Sequence, residues 1–415
     1  MASVSPTTDF APARAAATAA PASVRDPRLD FYRGIAMFII LVAHIPRNQW
    51  TGWIPARFGF SDATEIFVFC SGMASAIAFG GAFARRGWLM GTARVLFRCW
   101  QVYWAHIGLF FFTAMMMAAL DTYGAFDKSY INSLNLGRFF SDPATQIVGM
   151  FTLTYVPNYF DILPMYLVVL ALMPLLMALH QIGFWAVAFA SVAIWLGAQS
   201  QLLALPAEPW SEREWFFNPF GWQLLFFTGF AFMRGWIPAP PVSKTLMWVC
   251  IIFLVFSAPI GSWKVFSWIN NAYPDLGQDI RPIWRWIRLF QEDTGFNLRG
   301  KTDFGIFRYL HFLALAYLAW MVAGEGGARL RATGTGIAAA IWQRVLAIIT
   351  KVGQQSLAVF VFSMAAARIL GFLLDQIGRT TPNFALINLF GFALLIAVAY
   401  TAGWFKSQPW RSKKS

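Results

Sequence analysis

Apolar runs of about 16 to 25 residues recur ten times along this chain, and a hydrocarbon core ~30 Å thick takes about 20 helical residues to cross. They lie at 30–46, 64–84, 94–118, 160–179, 183–204, 219–236, 245–267, 305–323, 355–375 and 384–404. No soluble core needs so many. In hydrocarbon each segment must satisfy its own backbone, which a helix does. The fold class expected is therefore an all-α polytopic membrane protein with about ten transmembrane helices. Composition agrees: 58% of the residues are hydrophobic and only 12% charged, against roughly a quarter charged in soluble proteins.

The net charge of +13 belongs to the loops of such a protein rather than to nucleic-acid binding, because Lys and Arg orient a chain in a bilayer. With both termini cytoplasmic, 17 Lys and Arg fall on the inner side and 14 on the outer. Seven of the 14 sit in one long stretch, from Lys264 to Arg308. Long loops are discounted, so both termini are expected in the cytoplasm. Residues 1–24, rich in Ala, Pro, Ser and Thr, are expected to be a disordered cytoplasmic tail, and 406–415 a basic one. Cys70, Cys99 and Cys250 lie in apolar runs without CxxC spacing and are read as buried apolar residues. The four histidines, 44, 106, 180 and 311, include no HExxH spacing, and no metal is expected.

The first span, "RLDFYRGIAMFIILVAHIP", carries Asp30 and Arg33 near one end and His44 near the other. Eleven residues separate Arg33 from His44, about 16 Å along a helix, so they belong to different sites. The second span opens "SDATEIFVFCSG", with Asp62 and Glu65 three apart and expected on one helical face at the level of His44. A histidine oriented by a carboxylate can act as a general base. A plain helix-to-helix hydrogen bond is the structural alternative for His44.

The third span opens "ARVLFRCWQVYWAH". Arg94 can snorkel to headgroups, whereas Arg98 lies deeper and needs an anionic ligand or a cavity. The stretch "KTDFGIFRYLHF" brings Lys301, Asp303, Arg308 and His311 to the outer mouth of the eighth span, as a binding cluster or a solvated helix start. Aromatic residues of the outer loops, Trp210 and Trp284 among them, serve as interfacial anchors or as stacking faces for sugars.

Several blocks in order, "DPRLDFYRGIAMFIILVAHIP", "FSDATEIFVFCSGM", "DILPMYLVVLALMPLL", "NPFGWQLLFFTGF", "RYLHFLALAYLAW" and "GQQSLAVFVFS", resemble the OpgC family, part of the wider group of acyltransferase type 3 membrane enzymes. The resemblance runs from about residue 25 to 405. It implies a bacterial inner-membrane enzyme that takes an acyl group from cytoplasmic acyl-CoA, succinyl-CoA foremost, and places it on hydroxyls of osmoregulated periplasmic glucans. His44 matches the family's catalytic histidine, with Asp62 or Glu65 expected to orient it. Arg33, Asp30, Arg94 and Arg98 are expected at the acyl-CoA site. Lys301, Arg308, His311, Trp222, Asn218 and Gln223 are expected to hold the glucan, with Ser71 another polar liner. Transfer of acetyl to another envelope glycan, a secondary transporter and a glycan-binding protein without catalysis are the competing readings. A transporter is expected to show two related halves, and the "RLDxxRG…H" and "SDxxE" features have no counterpart after residue 210.

Overall fold

The computed structural model describes residues 26–411, residues 125 and 127 excepted. The tail 1–24 and the basic residues Lys413 and Lys414 lie outside the described residues. Among the described residues, fifteen α-helices follow one another. The first five are α1 (Pro27–His44), α2 (Ala63–Ser75), α3 (Gly81–Tyr123), α4 (Gly137–Ser141) and α5 (Pro143–Thr152). The next five are α6 (Ile162–Leu179), α7 (Phe184–Gln199), α8 (Pro219–Arg234), α9 (Lys244–Gly261) and α10 (Trp263–Ala272). The chain closes with α11 (Pro274–Thr294), α12 (Ile306–Ala323), α13 (Ile337–Gln354), α14 (Ser356–Ile377) and α15 (Thr381–Ser407).

Among the described residues, six helical segments are long and apolar enough to cross a bilayer: Ala63–Tyr123, Ile162–Leu179, Lys244–Gly261, Ile306–Ala323, Ser356–Ile377 and Thr381–Ser407. The protein is thus an all-helical, multi-pass membrane protein. Ala63–Tyr123 holds two of the predicted spans, with a π-helical turn at Ala76–Gly80 inside the first and a break between them at Gly87, where φ is +78°. The other three predicted spans fall on α1, α7 and α8.

Three stretches expected as loops are helical instead. Residues 268–304 contain α11, 119–159 contain α4 and α5, and the connection after α12 contains α13. The span predicted at 245–267 is broken at Ser262, whose side chain caps α10. These helices carry their apolar residues on one stripe with polar residues between, so no continuous apolar run announces them.

The bundle is built around α1, which packs against α2, α13, α14 and α15. Asp26 caps its start by accepting from Arg28 N at 3.0 Å. Ala36, Met37 and Leu41 are fully buried along it. Two crossings bring backbones into direct contact through reciprocal glycines. A side chain at Gly34 would strike the Ile349 carbonyl, and one at Gly353 the Asp30 carbonyl, where α1 meets α13. Where α2 meets α8, Gly72 faces the Phe226 carbonyl and Gly229 the Phe69 carbonyl. Small residues permit this closeness, and close packing drives helix association where lipid is as apolar as the side chains.

Replacing Gly72 or Gly229 by Ala is therefore expected to destabilise the protein by about 1–3 kcal/mol. Gly108→Ala, whose added methyl meets open space within the protein, should stay within about 0.5 kcal/mol. Melting of detergent-solubilised protein, followed by size-exclusion chromatography, distinguishes the two classes.

Candidate active site

His44 is the last residue of α1 and is half-buried. Its Nδ1 lies 2.7 Å from the Ile40 carbonyl oxygen. A carbonyl only accepts, so Nδ1 carries the proton and Nε2 presents its lone pair. The ring also meets Tyr159 edge to face, with centroids 5.4 Å apart. The expected carboxylate partner is absent from this arrangement: among the described residues, the His44 ring donates to a carbonyl of its own helix. Tautomer control passes from a carboxylate to a backbone oxygen, which fixes the ring equally well.

Asp62 and Glu65 are committed elsewhere. Asp62 is not on the face of α2 but is its N-cap, accepting from Thr64 N at 2.6 Å. Glu65, fully buried, reaches back to accept from Asp62 N at 2.7 Å, which completes a capping box. Each carboxylate then takes a cation from the start of α12 or the turn before it: Lys301 Nζ donates to Asp62 Oδ2 and Arg308 Nη1 to Glu65 Oε1, both at 2.5 Å. Burial alone would push the Asp62 carboxyl up, but Lys301 and Arg308 hold it well below the usual carboxylate range. Lys301, Arg368 and Asp62 all lie within electrostatic reach of His44.

Below this layer the polar residues brace the structure. Asn218 caps α8, accepting from Phe220 N at 3.1 Å, and donates to Asp303 Oδ1 at 2.9 Å. Trp222 is completely buried, and its Nε1 donates to the Lys301 carbonyl at 2.9 Å. Gln223 accepts from the Ser191 hydroxyl and donates to the Ser191 carbonyl on α7, both at 2.7 Å. These three were expected to line an open glucan site. Asn218 and Trp222 hold the segment that carries Lys301 instead, and Gln223 ties α8 to α7, because a residue with its faces packed and its polar atoms spent has nothing to offer a sugar. His311, also buried, shares a 2.6 Å hydrogen bond with Ser61.

At the other end of α1, Arg33 donates to the Ser356 hydroxyl at the start of α14, and Asp30 is buried. Arg98 donates to Gln101 Oε1 at 3.0 Å, while Arg94 is exposed. Lys406 lies within electrostatic reach of Arg98, Arg33 and Lys351, which gathers four cations from four helices. A groove of about 640 Å³, lined by Arg331, Gln343, Thr350, Lys351, Gln354 and Tyr400, opens beside them. Lys351 and Lys406 escaped the sequence reading because they are neighbours of Arg33 only in space.

Two further groups near His44 also escaped it. The Arg368 guanidinium carbon stands 3.9 Å over the Tyr159 ring. Beyond the end of α1, Asp375 collects Lys128 at 2.7 Å, Arg379 at 2.8 Å and Arg47 at 3.4 Å. Arg368 sits inside the apolar run of α14, where a single charge does not interrupt the signal of a span.

The family model for OpgC protein matches residues 25–407, nearly the whole chain. No curated protein and no solved structure gives a match. A match of that extent, carried by a bundle of apolar helices, makes this chain a member of the OpgC protein family, a membrane acyltransferase acting in glucan modification.

Proposed function

We propose that this protein is a ten-span inner-membrane O-acyltransferase, with both termini in the cytoplasm, that moves a succinyl group from cytoplasmic succinyl-CoA to hydroxyls of periplasmic glucans. The observation that carries this reading is the division of α1 between two chemistries. One end, at Arg33, belongs to a cluster of cations suited to phosphates. The other end presents a histidine whose Nε2 is left as the basic nitrogen.

In this reading Arg33 and Arg98, joined by Lys351 and Lys406, hold the phosphates of the donor at the cytoplasmic side. Arg94, being exposed, draws the donor in rather than clamping it. Asp30 anchors the start of the same helix. At the periplasmic end His44 Nε2 removes the proton from a glucan hydroxyl as its oxygen attacks the thioester carbonyl. The carbon–oxygen ester bond forms, the carbon–sulfur bond breaks, and the proton passes from Nε2 to the departing thiolate. Asp62 and Glu65 act one step removed: they fix Lys301 and Arg308 at the mouth, where the two cations meet the acceptor, with His311 buried behind them on Ser61. General-base assistance of this kind is worth ~100 to 10,000-fold in rate.

His44→Ala is accordingly expected to lower acyl transfer by that factor while leaving the melting profile unchanged. Mass spectrometry of periplasmic glucans from a host without its own acyl substituents checks this, with wild type and variant at matched membrane levels. A succinyl increment present in wild type and absent in the variant supports the assignment, whereas equal modification removes His44 from the mechanism. An acetyl increment in wild type would change the donor and keep the chemistry. At the far end, Arg98→Gln should raise KM for the acyl-CoA roughly 10-fold, the worth of one hydrogen bond to a charged group. Its kcat should move less than about threefold, because the phosphates keep the same contacts through the transition state.

A further inference from the structure

Among the described residues, Arg368 is a cation within electrostatic reach of His44 that no carboxylate answers. Lys301 is paired with Asp62 and Arg308 with Glu65. No Asp or Glu among the described residues comes within ion-pair distance of Arg368, and its buried Nε has no hydrogen-bond partner. With Lys301 and Arg308 each answered by a carboxylate, Arg368 adds a positive charge near His44 that no carboxylate among the described residues balances. A guanidinium inside an apolar bundle is costly to leave in that state. Positions that bind an anion are where such a cost is tolerated.

The protein builds this arrangement deliberately. Arg33 meets Ser356 at one level and Arg47 meets Asp375 at another, so α14 runs beside α1 in the same direction. Arg368 is twelve residues beyond Ser356 and His44 eleven beyond Arg33, which puts both about 16 to 18 Å along their helices and at one depth. Tyr159 joins them, with its ring under the guanidinium and edge-on to the imidazole, and its hydroxyl donating to the Met364 carbonyl at 2.5 Å. It holds this position with φ at +91°, a left-handed conformation costly for a tyrosine. Backbone strain of that kind is kept where the side chain has a task.

We propose that Arg368 determines the acyl specificity of this enzyme by binding the free terminal carboxylate of the succinyl group while His44 serves the acceptor hydroxyl beside it. The assignment rests on the acyl-transfer reading given above. An acetyl group carries no such carboxylate and leaves the guanidinium with Tyr159 as its partner and no counter-charge. Charge and position thus select a dicarboxylic acyl group, and Arg368 takes no part in bond making.

The test uses the purified full chain, glucan acceptor, and three donors: succinyl-CoA, acetyl-CoA and succinyl-CoA methylated at its terminal carboxyl. Free thiol release is measured, and the glucan product is weighed. Wild type should prefer succinyl-CoA over the methyl ester by roughly 100-fold in kcat/KM, the scale of losing one partner of a buried charge pair. Arg368→Gln should lose succinyl transfer by a similar factor and keep acetyl transfer within about threefold; Arg368→Lys should recover part of the succinyl activity. Equal use of succinyl-CoA and its methyl ester by wild type would overturn the proposal without requiring any variant to fold. So would equal loss of succinyl and acetyl transfer in R368Q, which would place the charge on the reacting carbonyl. A wild type that consumes none of the donors would bring down the acyl-transfer reading itself.

Discussion

Charge buried in an apolar bundle has to be answered by charge, and the His44 end of this protein is organised around that requirement. The ion pairs Lys301–Asp62 and Arg308–Glu65 join residues 239 and 243 positions apart in sequence. Each would be expensive to break on one side only, since the remaining ion would stay buried without compensation. Together they staple the start of α2 to the start of α12 and the turn before it. The capping box at Asp62 and Glu65 links the two carboxylates through the backbone, so both pairs share one rigid anchor. Asn218, Trp222 and Asp303 hold the segment behind Lys301 in the same way.

The second structural theme is backbone contact. Reciprocal glycines at the α1–α13 and α2–α8 crossings let helices approach until main chains touch. This matters for the site because α1 and α2 carry its histidine and carboxylates. A side chain positioned by helices that cannot shift is more reproducibly placed than one on a loop. The exception is Tyr159, which lies in the connection between α5 and α6 and reaches its position by backbone strain and a hydrogen bond to α14.

The membrane class and the family are legible in the sequence, and the ionisable residues at both ends of α1 stand out there, because each leaves a local signal: an ordered set of motifs, a long apolar run, or a charge within it. Other features of the structure leave no local signal. Helices α11 and α13 spread their apolar residues over one face, so a search for continuous runs passes them by. Asp62 and Glu65 are recognisable as two carboxylates at the start of a span, yet their partners are set by tertiary contacts across more than half the chain. Trp222, Asn218 and Gln223 are polar or amphipathic residues near the right region, and only packing reveals that their hydrogen-bonding groups face inward. Arg368 is a single charge within a strongly apolar stretch, where periodicity gives no hint of which neighbour it meets.

The unbroken helix between Arg33 and His44 acts as a ruler. Its eleven residues set about 16 Å between a cationic end and a basic nitrogen, and α14 runs alongside with a matching interval. Whatever bridges the two ends must therefore have its charged head and its reactive group at that spacing, which is a selection on length independent of any contact with the side chains. The ruler also has a phase. One residue inserted into α1 would lengthen it by only about 1.5 Å but would turn His44 by about 100°, away from Tyr159 and from the cations. The distance and the direction of the imidazole are thus specified by the same stretch of backbone, and neither can be changed without the other.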